Sequence, residues 1–323
     1  NEFSFIEYLK QRIPNPGRVC VGIGDDAAVL SVDPGKRLVV STDAIVENVD
    51  FKIKKGARPL YGKRGPGPFL SPEKIGRKAL AINLSDLAAM GAKPVAFVIT
   101  IGKPKHISEV WLKRFYNGLL KLAKQYEVAC IGGDFSGAKE FFASVTIFGE
   151  ASPNCFVTRA GARPGDWIAV TGVLGGSILS HHCDFTPRIR EGAFLAEKFA
   201  PTAMIDISDG LVQDLSHILK ASKVGAILDL DKIPVSSDAR KMSLGNKGKA
   251  LAGALSDGED FELLFTVSSR QKIMLNRSWK QRFPEVPLTW IGKIVKGAPR
   301  ISWRRNGKAT ALPQLARKGF SHF

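Results

Sequence analysis

Apolar residues along the first half of the chain form two kinds of segment. Short runs rich in β-branched residues predict strands at residues 37–41, 94–101, 128–131 and 143–149. Longer segments with apolar residues three or four apart predict helices at residues 71–87 and 108–126. Ser71 suits the N-cap of the first helix and Pro72 its first turn. This alternation is typical of a mixed α/β domain.

The second half repeats this alternation after a turn-rich stretch at residues 161–166. Strands are predicted at residues 167–171, 226–230, 261–267, 288–293 and 300–304, and helices at residues 175–182, 191–199 and 210–222. The pattern therefore indicates the α/β (α+β) class, with mixed sheets and flanking helices. We expect two domains, at residues 1–150 and 151–323.

Charge is the unusual feature of the composition, since 47 basic and 30 acidic residues give a formal net charge of +17. The basic residues are scattered, with concentrations at residues 52–64 and 300–308 that are not interleaved with aromatic residues. A solvated surface that attracts phosphorylated ligands is the favoured interpretation, and a nucleic-acid-binding protein stays open as an alternative. No apolar run is long enough to span a membrane, and four widely separated cysteines suggest reduced thiols and a cytoplasmic location.

Aspartates stand at the ends of several apolar segments, and they carry the candidate chemistry. The set comprises Asp26, Asp43, Asp86, Asp134, Asp206 and Asp209. Each alone fits a helix cap or a turn, but gathered carboxylates would raise each other's pKa unless a cation lay between them. Oxygen donors without neighbouring His or Cys favour Mg²⁺, and adjacent glycines let a backbone approach phosphates. The pattern predicts an ATP site with several Mg²⁺ ions.

Phosphoryl transfer is the reaction that such a site supports. An acceptor that is itself a phosphate monoester is largely ionised at neutral pH, because its second pKa is about 6, so it needs no general base. Arg159 is predicted as a cationic clamp for phosphate oxygens. The loop at residues 62–68 lacks the GxxxxGK[ST] pattern of a P-loop, and its prolines remove amide donors.

The motifs together resemble those of the thiamine-monophosphate kinases, in the superfamily of aminoimidazole ribonucleotide synthetase and selenophosphate synthetase. The most specific are NLSDLAAMGA within residues 78–94 and GEDFELLF within residues 254–265. The others are GIGDDAAVL at 22–30, VVSTDAIVENVDF at 39–51, GGD at 132–134, TRAGARPGDW at 158–167, DISDGLVQDLSHI at 206–218 and GFSHF at 319–323. The resemblance runs nearly end to end.

This resemblance implies a two-domain aminoimidazole ribonucleotide synthetase-like fold, a homodimer formed by the N-terminal domains, and ATP in the dimer groove. It implies ATP-dependent phosphorylation of thiamine monophosphate to thiamine diphosphate, by direct in-line transfer. The implied Mg²⁺ ligands are Asp26, Ser41, Thr42, Asp43, Asp86, Asp134, Asp206 and Asp209, of which Asp43, Asp86, Asp134 and Asp209 are the expected catalytic residues. The implied ATP contacts are Tyr116, Gly133, Asp134, Arg159 and Ser208, and the implied substrate contacts are Asp50, Glu259 and Phe320.

Three positions depart from the family pattern. Asp50 stands where the family usually has His, Phe135-Ser136 replaces a Thr pair, and Gly175-Gly176-Ser177 replaces a Gly-Asp-Ser turn. The segment at residues 52–68 is a long basic insertion. A relative that uses the same ATP site on another small substrate, such as a purine-pathway ribonucleotide, therefore remains an alternative. An inactive paralogue is disfavoured, because carboxylates gathered without a metal would only cost stability.

Three histidines fall outside this set of candidate site residues. We expect His181 and His182 on a helix surface, since adjacent rings on a helix point about 100° apart and do not share one ion easily. His217, in the helix after DISDGL, is expected to be packed or exposed rather than catalytic.

Overall fold

The computed structural model describes residues 8, 11–13, 17, 19–21, 29–30, 32–53 and 69–311. The chain divides into two compact units, Asn1–Leu87 with Lys93–Pro153, and Ala88–Ala92 with Asn154–Phe323. The division predicted at residue 150 falls close to the Pro153 boundary, whereas the pentapeptide Ala88–Ala92 groups with the second unit. Both units combine mixed sheets with helices, which confirms the predicted fold class.

The first unit is built on a four-stranded sheet with the order β3-β6-β4-β5. Its strands β1 to β6 are Val19–Val21, Val29–Leu30, Arg37–Val46, Lys93–Lys103, Ala129–Gly137 and Phe142–Ala151, and its helices α1 and α2 are Pro72–Ala89 and Glu109–Gln125. Strand β6 pairs antiparallel with β3 and β4, whereas β4 and β5 are parallel. Strands β1 and β2 form a separate antiparallel pair.

Helix burial explains how this unit is layered. Helix α1 is buried on nearly all sides, since every one of the consecutive residues 79–85 is at most 8% exposed. Helix α2 is amphipathic and buries Leu112, Phe115 and Leu119. Its N-cap is Ser108, whose side chain accepts a hydrogen bond from the Trp111 amide at 3.2 Å. The helical layer therefore covers one face of the sheet and leaves the other face free of helices within the described part of this unit.

The second unit contains a seven-stranded sheet with the order β13-β12-β9-β11-β7-β10-β8. Its strands β7 to β13 are Trp167–Thr171, Ala203–Asp206, Gly225–Asp229, Leu263–Val267, Leu288–Val295, Ile301–Arg305 and Lys308–Thr310. Its helices α3 to α8 are His181–Asp184, Ile189–Lys198, Leu211–Ser222, Ser237–Met242, Lys247–Ser256 and Ser269–Arg282. Helix α5 packs Leu211, Leu215 and Ile218 into an apolar core of this unit.

Three local predictions for the second unit were wrong. The helix expected at 175–182 is a 3-10 turn, Ser177–Leu179, followed by the short helix α3, because Gly175 and Gly176 have φ values of 85° and 73° that no α-helix continues. Residues 241–249, for which no helix or strand was predicted, contain parts of α6 and α7. Helix α8 was missed because it buries only Leu275 and Trp279, too few for a clear period.

Within the described residues, no helix is both long and apolar enough to cross a bilayer.

Candidate active site

Strand β3 and helix α1 bring three of the predicted metal ligands together in the first unit. The Ser41 hydroxyl donates a hydrogen bond to the Asp86 carboxylate, and the Asp43 amide donates to Asn83 Oδ1 at 3.0 Å. Asn83 is 0% exposed and lies one helical turn before Asp86, so one face of α1 contacts alternate residues of β3. Ser41, Asp43 and Asp86 therefore converge, and Asn83 is a contributor that the sequence analysis missed.

Thr42 lies on the opposite face of β3, away from this group. Its hydroxyl lies 3.0 Å from Thr146 Oγ1 and donates to the Val145 carbonyl at 3.1 Å. Because side chains alternate along a strand, Thr42 shares the helix-free face of the sheet with Thr146 and Thr100. The structure does not bring Thr42 together with Asp86, and its assignment as a ligand stays a prediction.

Asp134 and Gly133 lie on β5, at the other edge of the same sheet. The register runs from Asp43 through Val145 and Ile99 to Gly133, which puts three strand spacings, or roughly 14 Å, between the two edges. Asp134 aligns with Thr100, so it belongs to the helix-free face. Within one copy of this unit, Asp134 is thus separated from the Asp43 group.

The lack of a side chain at Gly133 has a structural cause. A Cβ atom added there would lie 2.1 Å from the Ile99 carbonyl oxygen of the neighbouring strand. Gly133 therefore permits a close approach of β5 to β4. This reason is independent of the predicted contact with a nucleotide.

Tyr116, predicted to contact ATP, lies inside the helical layer. It is 3% exposed, and its ring packs 5.7 Å from Phe115 and 6.4 Å from Phe135, measured between centroids. Burial, followed by the nearby Cys130 thiol, raises the pKa of Tyr116 well above its usual range. As placed, the ring offers little surface to a ligand, so its contact with ATP stays a prediction.

Asp50 closes a tight turn at the end of β3. Its carboxylate accepts a hydrogen bond from the Val46 amide at 2.8 Å, and its own amide donates to the Val46 carbonyl at 3.0 Å. Asn48, within the turn, has a φ of 66°, a value that asparagine tolerates better than most residues. Aspartate at this position therefore has a local structural role, whatever it contacts besides.

Two predicted site residues, Asp26 and Phe320, and residues 54–68 of the basic insertion lie outside the described residues.

The turn from β8 into α5 forms the acidic centre of the second unit. Asp206 is the last residue of β8 and is 4% exposed, and Asp209 and Gly210 follow it before the helix begins. The Asp214 carboxylate accepts hydrogen bonds from the Asp209 and Gly210 amides at 3.1 and 3.0 Å. Burial, then the carboxylates of Asp206 and Asp209, raise the pKa of Asp214 to about 8. Three carboxylates therefore share one partly buried turn.

A divalent cation fits this turn by the chemistry of its donors. Asp209, Asp214 and His217 each offer a ligand atom, and these atoms lie within 4.8 Å of one another. A cation would offset both the burial and the neighbouring carboxylates that raise the pKa of Asp214. Asp214 was not among the predicted ligands, and His217 was expected to be packed or exposed rather than catalytic. A third aspartate in the first turn of the helix after DISDG was the available signal.

Arg159 approaches the same helix from the segment before β7. Ser222, the last residue of α5, accepts hydrogen bonds from the Gly161 and Ala162 amides, both at 3.1 Å, and donates to the Arg159 carbonyl at 3.4 Å. Burial first, and then the Arg159 charge, lower the pKa of His217. The guanidinium therefore lies close enough to α5 to act on the electrostatics of the acidic turn.

The loop at residues 257–261, here called the GED loop, lies beside this turn. The Glu259 amide donates to the Ser208 carbonyl at 2.7 Å, and the Phe261 amide donates to the Ile207 carbonyl at 2.8 Å. The backbone thus places Glu259, predicted to contact the acceptor, next to Ser208, predicted to contact ATP.

Buried hydrogen bonds join the GED loop to the turn at residues 175–177. The Asp260 carboxylate, 2% exposed, accepts a hydrogen bond from the Gly175 amide at 2.8 Å, and Ser177 Oγ donates to the Gly258 carbonyl at 2.6 Å. Burial raises the pKa of Asp260 well above its usual range. The Gly-Gly-Ser turn that departs from the family pattern therefore supports this loop.

One expectation about the histidines was wrong. His182, expected on a helix surface, is 1% exposed, and its Nδ1 lies 4.0 Å from Glu259 Oε2. The helix that carries it is one turn long and packs against the GED loop, which periodicity alone does not reveal.

Comparisons with known protein families define the class of this fold. Residues 24–151 match the N-terminal domain of the AIR synthase related proteins, and residues 163–278 match the C-terminal domain of the same group.

Individual relatives narrow this class. The chain is 38% identical to the thiamine-monophosphate kinase of Rhodopirellula baltica, over 99% of this chain and 97% of that protein. It is similar to the crystal structure of the thiamine-monophosphate kinase from Stenotrophomonas maltophilia K279a, with 31% identity, a TM-score of 0.78, and coverage of 95% and 96% of the two chains. A third structure, AaThiL complexed with AMPPCP and TMP, shares 28% identity at a TM-score of 0.72 and covers 100% of this chain and 97% of that one. The chain belongs to the thiamine-monophosphate kinase family, which confirms the resemblance read from its motifs.

Proposed function

We propose that this protein transfers the terminal phosphoryl group of ATP directly to thiamine monophosphate, giving thiamine diphosphate and ADP. The observation that carries the proposal is the 38% identity to a thiamine-monophosphate kinase over 99% of the chain. The complex of AaThiL with AMPPCP and TMP supports it, because that relative binds an ATP analogue and TMP together. Asp43, Asp86, Asp134 and Asp209 are all present and are assigned as the catalytic residues.

Carboxylates would hold several Mg²⁺ ions at two places. Ser41, Asp43 and Asp86 form one group, and Asp206 and Asp209 form the other, with Asp26, Thr42 and Asp134 as further ligands. Bound there, Mg²⁺ would neutralise charge on the phosphates as the phosphoryl group moves. Arg159, Ser208, Gly133 and Tyr116 are assigned to ATP, and Asp50, Glu259 and Phe320 to the acceptor.

The nature of the acceptor explains why the assigned site is rich in aspartate and needs no general base. A phosphate monoester at neutral pH already presents an ionised oxygen, since its second pKa is about 6. The chain then has only to orient that oxygen and to offset the negative charge of both phosphate groups.

We further propose a homodimer formed through the helix-free face of the first unit. That face carries Leu38 and Val40 on the edge strand β3, and these side chains are 49% and 52% exposed. Exposed apolar residues on an edge strand are typical of a surface covered by another chain. Among the described residues, Cys130, Cys155 and Cys183 form no disulfide, which fits a reducing compartment, and we propose the cytoplasm.

The test is product formation from Mg·ATP and thiamine monophosphate by the parent and by Asp86→Asn and Asp134→Asn variants. We expect thiamine diphosphate and ADP from the parent and little of either from the variants. ATP binding without thiamine diphosphate would reject this acceptor and favour another small phosphorylated substrate, such as a purine-pathway ribonucleotide. Salt-dependent binding to an oligonucleotide without ATP turnover would instead favour a nucleic-acid-binding protein.

A further inference from the structure

Helix α3 and the residue after it contact the GED loop at three successive positions. His181 Nε2 lies 2.9 Å from the Asp260 carbonyl and donates a hydrogen bond to it. His182 Nδ1 lies 4.0 Å from the Glu259 carboxylate. The Phe185 ring stacks on that of Phe261, with centroids 4.1 Å apart and planes inclined by 17°. We call the segment 181–185 the clamp.

The loop that the clamp contacts has an unfavourable backbone. Glu259 and Phe261 have φ values of 54° and 49°, in the left-handed region that side chains with a Cβ atom rarely adopt. Such conformations persist where surrounding contacts determine them, and they cluster at binding sites. Hydrogen bonds to the Ser208 and Ile207 carbonyls hold the loop on one side, and the clamp holds it on the other.

His182 and Glu259 differ in their access to solvent. The His182 side chain is 1% exposed, whereas the Glu259 side chain is 29% exposed. The carboxylate therefore has an open side towards solvent and a buried side towards the imidazole. A distance of 4.0 Å is too long for a direct hydrogen bond, so the imidazole acts on the carboxylate electrostatically or through a bridging water.

We propose that His182 is a positioning residue for the acceptor, and that it acts by fixing the direction of the Glu259 carboxylate. This inference rests on the proposed function in one respect, the assignment of Glu259 to the acceptor. The acceptor class that it implies carries a cationic ring or N–H donors for this carboxylate, besides its phosphate. His182 would then govern affinity for the acceptor and leave affinity for ATP unchanged.

The experiment measures steady-state kinetics with each substrate varied in turn. We expect His182→Leu to raise the KM for thiamine monophosphate about tenfold, with the KM for ATP within about twofold of the parent value. His182→Asn, whose amide nitrogen takes the place of Nδ1, should restore a KM for thiamine monophosphate close to the parent value. In a Glu259→Gln background, His182→Leu should raise this KM little further, because the two residues act as one unit.

Cys183→Ala is the matched control, because Cys183 is the neighbouring buried residue of the same helix, at 1% exposure. It should lower the melting temperature and leave the KM for thiamine monophosphate unchanged. An equal rise in both KM values for His182→Leu, or full additivity with Glu259→Gln, would overturn the proposal.

Calorimetric titration with thiamine monophosphate separates this proposal from the proposed function. A parent that makes no thiamine diphosphate would refute the function. His182→Leu would even then be expected to weaken binding of thiamine monophosphate, and equal binding by the parent and the variant would refute the positioning role.

Discussion

The two units hold their candidate carboxylates in opposite environments. In the first unit, Asp43 and Asp134 are exposed on the two edge strands of one sheet. In the second unit, Asp206 and Asp214 are 4% and 1% exposed in a single turn. Exposed carboxylates cost little stability without a cation, whereas buried ones need amide donors or a cation beside them. We infer that the second unit provides a preformed acidic centre, while the first presents ligands that a nucleotide and its ions would bring together.

The largest effect that tests this comparison is on activity. We expect both Asp134→Asn and Asp206→Asn to lower kcat/KM by about 100-fold or more, because each removes a carboxylate assigned to Mg²⁺. Their stabilities in EDTA should differ. Asp134→Asn should change the free energy of unfolding by less than about 0.5 kcal/mol. Asp206→Asn should increase it, because the Asp206 charge repels Asp214. Equal stability changes, measured by urea unfolding, would contradict the contrast between the two units.

The second largest effect is on stability, and it concerns the buried polar network around Glu262. Glu262, 2% exposed, accepts hydrogen bonds from Arg188 at 2.8 and 2.5 Å and from Thr171 Oγ1 at 2.6 Å. Arg188→Met would leave this carboxylate without its cation, and we expect a loss of about 3–5 kcal/mol in the free energy of unfolding.

The control for this variant is Lys241→Met, at the exposed pair Lys241–Asp238. That pair has an N–O distance of 2.8 Å and a lysine side chain that is 69% exposed. The change should cost less than about 0.5 kcal/mol. Similar losses of unfolding free energy for both variants would show that burial does not determine how much the Arg188–Glu262 pair contributes to stability.

Two glycines of β5 provide a smaller test within the first unit. Gly133→Ala would put a Cβ atom 2.1 Å from the Ile99 carbonyl oxygen, so we expect a loss of about 1–3 kcal/mol. Gly137→Ala, in the same strand, meets no atom within 4 Å and should be neutral or slightly stabilising. Thermal unfolding distinguishes the two, and a neutral Gly133→Ala would mean that β5 can move away from β4.

The last effect, spread over several pH units, is a dependence of stability on pH. Burial raises the pKa of Asp260 above its ordinary value of 3.8, so the folded chain holds a proton there that the unfolded chain releases. From about pH 4 up to the raised pKa, the unfolded state binds fewer protons, and stability falls by up to about 1.4 kcal/mol per pH unit. Asp260→Asn should lack this contribution. The difference in unfolding free energy between parent and variant, measured from pH 4 to 7, should therefore change steadily with pH. A constant difference would refute the raised pKa of Asp260.

The sequence predicted the strongly periodic elements well and the short or weakly periodic ones poorly. Helices α1 and α2 have strong periodicity or clear caps, and both were placed within two residues of their ends. Strand β3 was predicted to end at Ser41, because the polar residues Ser41, Thr42 and Asp43 interrupt the apolar run. The strand continues to Val46, since an edge strand accommodates polar side chains. Helix α3 has four residues, too few for any period, and so His182 was assigned to a surface that it does not occupy.

By itself, the sequence determined the class of the fold and the family, and it predicted a set of oxygen ligands, because these follow from local periodicity and from motifs of fixed spacing. Tertiary structure alone decided which carboxylates meet. Ser41 reaches Asp86 across 45 positions, and Glu259 reaches Ser208 through pairing that no local pattern encodes. Burial decided the electrostatics of the site, since the pKa of Asp214 and the burial of His182 depend on how much water the surrounding elements exclude. Such effects arise between segments distant in the chain, and their strength depends on distance and solvent access rather than on residue type.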